Sequence, residues 1–343
     1  MRIAVVNDNH ENLVVLQHII NKQSDYSVAW TASSGREAID KCKEDLPDLI
    51  LLDMIMPDIN GVTACQIIMN STPCAIIIVT ASVTGNAAMI FEAMSYGAVD
   101  VVKTPFSGID SSQNETDDLL HKIKIVSRLI ETDSKKSKHN TISSDRKVPK
   151  DYSTIVILGA STGGPGVLAT ILHKFPPDFP VPIVIVQHVD SSFTHSFASW
   201  LNKQTPLDVR IAKCGERPKI GSVLVAGKSD HLIMLAGGKL SYSEEPKELI
   251  YKPSVDVFFT SVVKHWNGTI IASLLTGMGK DGAEGLASIH TKGGHTITQS
   301  KETCAVYGMP KAADDLGAAT ESLPPEEIAN SIINIVYGLK RHG

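Results

Sequence analysis

The chain has 343 residues, 43% of them hydrophobic and 20% charged, the composition of an ordinary globular protein with length enough for two domains. Its net charge of -5 removes the electrostatic case for nucleic acid, and no apolar run is long enough for membrane insertion. The N-terminus enters strand-like Ile3-Ala4-Val5-Val6 with no signal-peptide pattern; Cys42, Cys65, Cys74, Cys214 and Cys304 are odd in number and lack C-x-x-C spacing, as expected of reduced thiols in a cytoplasmic protein.

In chain order, short apolar runs alternate with helical patterns. Strands are predicted at 3–6, 26–30, 49–52, 76–79 and 99–102, and helices near 11–21, 35–44, 62–70, 86–95 and 117–130. Five such units predict a doubly wound parallel sheet, whose ligands gather at the carboxyl ends of the strands. Polar residues stand at those ends: Asn7 and Asp8, Asp53, Thr80, then Lys103 and Thr104. Two carboxylates, a hydroxyl and a cation can hold a divalent ion and a phosphoryl group. Taken singly, each strand-end Asp is as readily a turn former or helix cap.

The run Asp53-Met54-Ile55-Met56-Pro57-Asp58-Ile59-Asn60-Gly61, with Thr80-Ala81 and Thr104-Pro105, resembles a two-component receiver domain of flavodoxin-like fold. The resemblance implies that Asp53 accepts a phosphoryl group, that Asp8, Asp53 and the Ile55 carbonyl bind Mg2+, and that Thr80, Lys103 and Thr104 are switch positions. The sequence departs from that family in three places. Asn7-Asp8 has one carboxylate where two are usual, Thr104-Pro105 replaces Lys-Pro with Lys103 one place early, and Val101 stands where an aromatic residue is common. The receiver is expected over 1–130. A linker is expected over 131–151, where Ser134-Lys135-Lys136-Ser137-Lys138-His139-Asn140 and the residues up to Lys150 lack apolar periodicity.

The alternating pattern restarts at Ile155-Val156-Ile157-Leu158, four apolar residues of which three are β-branched, read as a buried strand. Gly159-Ala160-Ser161-Thr162-Gly163-Gly164-Pro165-Gly166 follows, and 167–172 reads as a helix, so Ser161 lies in a strand–helix turn. A glycine-rich turn can cradle phosphate, present a nucleophile, or merely allow close packing. The phosphate patterns G-x-x-x-x-G-K-[ST] and G-x-G-x-x-G are absent, whereas Gly159-Ala160-Ser161-Thr162-Gly163 has the nucleophile form G-x-S-x-G.

A second strand at 181–186 ends in Gln187-His188, and a right-handed crossover brings both strand ends to one sheet edge. A later strand at 270–275 runs into Thr276-Gly277-Met278-Gly279-Lys280-Asp281-Gly282, placing Asp281 beside a helix starting near Ala283. Ser161, His188 and Asp281 on three strand ends have the makings of an acyl-transfer triad. Their order in the chain differs from the Ser…Asp…His of α/β-hydrolases. Asp281 could equally cap a helix, and His195, His231, His265 and His290 are read as surface or structural. Strands at 221–225 and 231–235, a Gly237-Gly238 hairpin turn and 240–242 predict a mixed sheet; Trp200-Leu201 belongs to an amphipathic helix facing the core.

Gly159-Ala160-Ser161-Thr162-Gly163-Gly164-Pro165, Gln187-His188, Pro253-Ser254-Val255-Asp256, the run Thr276–Ala283 and Tyr307-Gly308-Met309-Pro310 resemble the chemotaxis protein-glutamate methylesterase family, over 152–343. Receiver plus this domain is that family's architecture. The resemblance implies a doubly wound, mostly parallel α/β domain with an antiparallel hairpin and no cofactor for the esterase. It implies Ser161, His188 and Asp281 as catalytic residues, with Thr162 and the Met278 N–H at the oxyanion site. The implied activity is hydrolysis of glutamyl methyl esters on the signalling domain of methylated chemoreceptors, often with deamidation of receptor glutamines. A histidine kinase of a chemotaxis-type pathway is the implied phosphodonor. The departures in the first half resemble the branch found in Wsp-type surface-sensing pathways. The competing expectation is a non-enzymatic response regulator, a phosphate sink or receptor-binding module; it would have no need of Ser161. A DNA-binding output lacks both basic charge and a helix-turn-helix candidate.

Overall fold

The computed structural model describes residues 1–81, 85–105, 112–132, 154–249 and 252–338. Beyond Thr132 the expected linker lies outside them. The chain divides into two compact units, Met1–Lys138 and His139–Gly343.

The first unit alternates β1 (Arg2–Val6), α1 (His10–Asn21), β2 (Ser27–Ala32), α2 (Gly35–Glu44), β3 (Leu49–Asp53), α3 (Gly61–Ser71), β4 (Ala75–Thr80), α4 (Ala87–Ser95), β5 (Asp100–Lys103) and α5 (Ser112–Thr132). The strands form one sheet in the order β2-β1-β3-β4-β5, every pairing parallel. β3 and β4 are covered on both faces, which is why they read as unbroken apolar runs. Asn9, Ser34 and Asn60 start α1 to α3 by accepting N–H groups of the first turn. α5 begins five residues before the predicted start, in a stretch whose polarity hides its helical spacing.

The second unit is built on seven parallel strands: β6 (Ile155–Ala160), β7 (Ile183–Gln187), β8 (Asp208–Ile211), β9 (Ser222–Val225), β12 (Ile270–Leu274), β13 (His295–Gln299) and β14 (Glu321–Leu323). Their order is β14-β13-β12-β6-β7-β9-β8. The helices are α6 (Gly164–His173), α7 (Ser191–Asn202), α8 (Val255–His265), α9 (Ala283–Thr291), α10 (Met309–Asp315) and α11 (Pro325–Tyr337). The hairpin β10 (His231–Leu235) and β11 (Lys239–Ser243) forms its own antiparallel sheet, so the main sheet is parallel throughout rather than mixed. β6 runs two residues past its apolar tetrad and includes Gly159, where α8 packs so closely that a Cβ would sit 2.4 Å from Val255 Cγ1. Trp200 is in α7 and buried, as predicted.

The chain runs outward from β6 in two directions, to β7 on one side and to β12 on the other. The strand order thus reverses at β6, and the carboxyl ends of β12, β6 and β7, three neighbours in the sheet, lie together where parallel α/β sheets gather their ligands.

Candidate active site and phosphorylation site

Ser161 leaves β6 directly into the α6 turn and is 8% exposed. Its N–H donates to the Thr276 carbonyl at 3.0 Å, and its own carbonyl accepts from the Gly164 N–H at 2.8 Å. Gly163 makes the turn with φ of 76°, a conformation that costs a side-chain-bearing residue. Ala160 and Gln187 are register partners, so Ser161 and His188 each follow directly on paired residues of adjacent strands. Buried Gln187 ties them together, its Nε2 donating to the Ser161 carbonyl (2.7 Å) and the His188 carbonyl (3.1 Å).

His188 Nε2 lies 2.7 Å from Asp281 Oδ2. Donation from Nε2 to the carboxylate leaves Nδ1 as the basic nitrogen of the neutral ring, the reverse of the ring orientation of chymotrypsin-type triads. Asp281 is well supplied with further donors: Ser254 Oγ at 2.7 Å and the Asp256 N–H at 3.0 Å on Oδ1, and the Val255 N–H at 2.6 Å on Oδ2. Burial pushes this carboxyl up, but the hydrogen bond to His188 and the attraction of that ring whenever it is protonated, with the Asp256 N–H and Ser254 hydroxyl, outweigh it and hold Asp281 below its ordinary value. Asp281 thus stays ionised.

The donors of α8 were not assigned a role from sequence. Pro253-Ser254-Val255 does carry the signal of a helix start, a Ser before an apolar run. That this start faces Asp281 is a tertiary fact. His231 is fully buried, its Nδ1 accepting from the Ser254 N–H at 3.0 Å. Of the surface or structural role expected for it, the buried, hydrogen-bonded position fits the structural one.

The oxyanion candidates lie on two loops tied together. Thr276 Oγ1, after β12, donates to the Thr162 carbonyl at 2.9 Å. Gly277 is packed on Ser161, and Met278 follows it. The Tyr307–Pro310 run supports this loop from behind, the Gly308 and Met309 N–H groups donating to the Gly277 carbonyl at 3.1 and 2.9 Å.

In the first unit, Asp53 ends β3 and is half-buried. Its Oδ1 accepts from the Met54 N–H at 2.6 Å and its Oδ2 from Asn7 Nδ2 at 3.0 Å. Burial first, and the nearby Asp8 charge as well, push its carboxyl up to about 6. Asp53 and Asp8, two carboxylates that repel, are hard oxygen donors of the kind Mg2+ takes while it keeps several waters, and Ile55, two residues beyond Asp53, is exposed. Thr80 is buried and its Oγ1 accepts from Asn86 Nδ2 at 3.2 Å; Thr104 is buried and its N–H donates to the Thr80 carbonyl at 3.0 Å. Lys103 instead pairs with Glu115 of α5 at 2.6 Å. Its position one place early puts the ammonium on the other face of the strand from residue 104.

A serine and an imidazole bonded to an anchored carboxylate, gathered at adjoining parallel strand ends, define the second unit as a serine hydrolase of α/β class, joined to a receiver. The chain belongs to the CheB methylesterase family, whose model matches residues 156–332, and residues 3–111 match the response regulator receiver domain. It is 46% identical over 337 residues to protein-glutamate methylesterase/protein-glutamine glutaminase 4 of Burkholderia thailandensis, covering 98% of each chain. It is 44% identical over 335 residues to protein-glutamate methylesterase/protein-glutamine glutaminase of Mesorhizobium japonicum, covering 97% of this chain and 98% of that one. The crystal structure of the Thermotoga maritima CheB methylesterase catalytic domain matches with a TM-score of 0.51 and 38% identity, over 53% of this chain and 97% of that one.

Proposed function

We propose that this chain is a phosphorylation-regulated protein-glutamate methylesterase acting on methylated chemoreceptors in the cytoplasm, with Ser161, His188 and Asp281 as its catalytic residues. The observation that carries the reading is the His188–Asp281 hydrogen bond of 2.7 Å, formed at the strand end next to Ser161.

His188 takes the Ser161 hydroxyl proton at Nδ1 as Oγ attacks the ester carbonyl. Asp281 holds the ring tautomer and stabilises the imidazolium. The N–H groups of Thr162 and Met278 receive the charge that develops on the carbonyl oxygen; each such donor is worth on the order of 10²-fold or more in rate. The imidazolium returns its proton to the departing methoxide, methanol leaves, and a glutamyl ester of Ser161 remains. Water activated by His188 then releases free glutamate and restores Ser161. A receptor glutamine follows the same course with ammonia as leaving group. The same relatives carry both activities in their names.

Asp53 is the phosphoryl acceptor of the receiver, and a histidine kinase of a chemotaxis-type pathway is its donor. Asp8, Asp53 and the Ile55 carbonyl would hold Mg2+, which supplies positive charge against the phosphoryl oxygens. Asn7 stands in for a second acidic partner and donates a hydrogen bond to Asp53 instead. Thr80 and Thr104 are the switch positions; Lys103, paired with Glu115, stands apart from them.

Mass spectrometry of methylated receptor incubated with the chain tests the substrate. The reading requires conversion of glutamyl methyl esters to glutamate. A receptor that keeps every methyl group with active, phosphodonor-treated chain contradicts it.

A further inference from the structure

The Asp281 carboxylate is gripped by one helix end. Both of its oxygens take donors from the start of α8: Oδ1 from the Ser254 hydroxyl and the Asp256 N–H, Oδ2 from the Val255 N–H beside His188 Nε2. The exchange is mutual, because Asp256 Oδ1 accepts the Gly285 N–H of α9 at 2.7 Å, and Asp281 stands two residues before α9. Each helix start therefore holds a carboxylate brought by the other.

Ser254 is the residue through which this grip acts on a side chain. A hydroxyl has one proton and two lone pairs. Ser254 gives the proton to Asp281 and accepts the Val257 N–H at 3.3 Å as the cap of α8. Its backbone is fixed as well: the N–H donates to His231 Nδ1, and His231 Nε2 lies 3.1 Å from the Pro246 carbonyl. A ring that accepts at Nδ1 and donates at Nε2 is neutral, and this one is fully buried. Ser254 itself is 1% exposed, so no water replaces its hydroxyl at Asp281 at small cost.

We infer that Ser254 is a positioning residue for the hydrolysis, its hydroxyl fixing the plane of the Asp281 carboxylate so that Oδ2 meets His188 Nε2. The inference rests on the triad of the proposed function. Removing the hydroxyl leaves Asp281 Oδ1 with the Asp256 N–H, loosens the carboxylate and concentrates its charge. The looser carboxylate aligns His188 less well and lowers kcat. The more concentrated charge stabilises the imidazolium, which moves the acid limb of the pH–rate profile to higher pH.

The test compares full-length wild type with Ser254→Ala, Ser254→Gly and Ser254→Thr. Two rates are read: methanol release from methylated receptor, and capture of Ser161 by a fluorophosphonate across pH. In the capture the Ser161 Oγ–P bond forms, P–F breaks, fluoride leaves and the hydroxyl proton passes to His188, with no receptor required. Glycine caps a helix almost as well as serine, so the glycine variant separates the hydroxyl's effect on Asp281 from the stability of α8. The expected result is a kcat about 10-fold lower in both Ala and Gly variants with KM nearly unchanged, and an acid limb shifted upward; threonine restores both to within about threefold of wild type. A glycine variant with wild-type kcat and an unmoved acid limb overturns the inference, as does a loss confined to alanine. Capture that depends on Ser254 in a chain that hydrolyses no receptor ester upholds the positioning role and overturns the substrate. A wild type whose Ser161 is not captured at all overturns the triad and the inference with it.

Discussion

Asp53 and Asp281 are both largely withdrawn from water, and the chain treats them in opposite ways. Asp281 meets donors on both oxygens and is held ionised, whereas Asp53 has fewer donors and a like charge beside it. Replacing Asp281 by Asn therefore does more than alter a tautomer. One oxygen becomes an NH2 group that must face donors of α8 or the imidazole. Asp281→Asn is expected to lose about 1–3 kcal/mol of stability and on the order of 10⁴-fold in hydrolysis, read by denaturant unfolding and by initial rates. For Asp53 the sign is reversed. Its folded pKa of about 6 lies above the unfolded value, so the folded state binds more protons between about pH 4 and that value. Stability contributed by the neutral carboxyl is present below the unfolded pKa and is lost as pH rises through the folded one. Asp53→Asn should therefore increase hydrogen-exchange protection of the β1 and β3 amides near about pH 7 without Mg2+, and the gain should shrink toward about pH 4. Equal protection at both pH values contradicts a strained carboxylate at this site.

At the level of elements, the loops after β6 and β12 must touch for the site to exist, and Gly277 is where they do. A Cβ there would lie 2.6 Å from Ser161 Cβ and 2.3 Å from Met309 Sδ. The thioether can swing aside, but Ser161 cannot move without leaving its place. Gly277→Ala is expected to cost about 1–3 kcal/mol and on the order of 10²-fold in kcat; near-normal kinetics would show that this contact does not set the nucleophile. The same loops show what the sequence makes visible. β3, β4, β6 and β7 read as apolar runs, and Ser161 and His188 directly follow two of them, while Asp281 lies seven residues beyond β12, an apolar strand broken only by Ser273. β13 escapes such a reading because its inward residues are polar: Thr298 donates to Asp314, Thr296 meets Thr320, and the Gln299 side chain accepts the Thr276 N–H. Polar groups satisfied one by one make a buried strand with no apolar signature. Ser254 carries the residue type of a helix cap, but no helix is predicted there from the sequence, and its pairing with Asp281 joins residues 27 positions apart. Lys103 shows the converse, a residue whose chemistry suits the phosphorylation pocket while its place on the strand sends it to Glu115.

At the scale of the whole molecule, the proposed function couples a switch in one unit to chemistry in the other. A receiver can raise the esterase rate only by as much as its phosphorylated and unphosphorylated states differ in their interaction with the active form. Methanol release from methylated receptor, followed with and without a small phosphodonor and Mg2+, reads both halves at once. Wild type should release methanol and do so faster with the phosphodonor; Asp53→Asn should keep the basal rate and lose the stimulation. The most direct measurement is the same assay on Ser161→Ala. The expected result is a loss on the order of 10³-fold or more, with or without phosphodonor. A Ser161→Ala chain that is folded and releases methanol at half the wild-type rate would contradict the assignment of the nucleophile and the mechanism built on it.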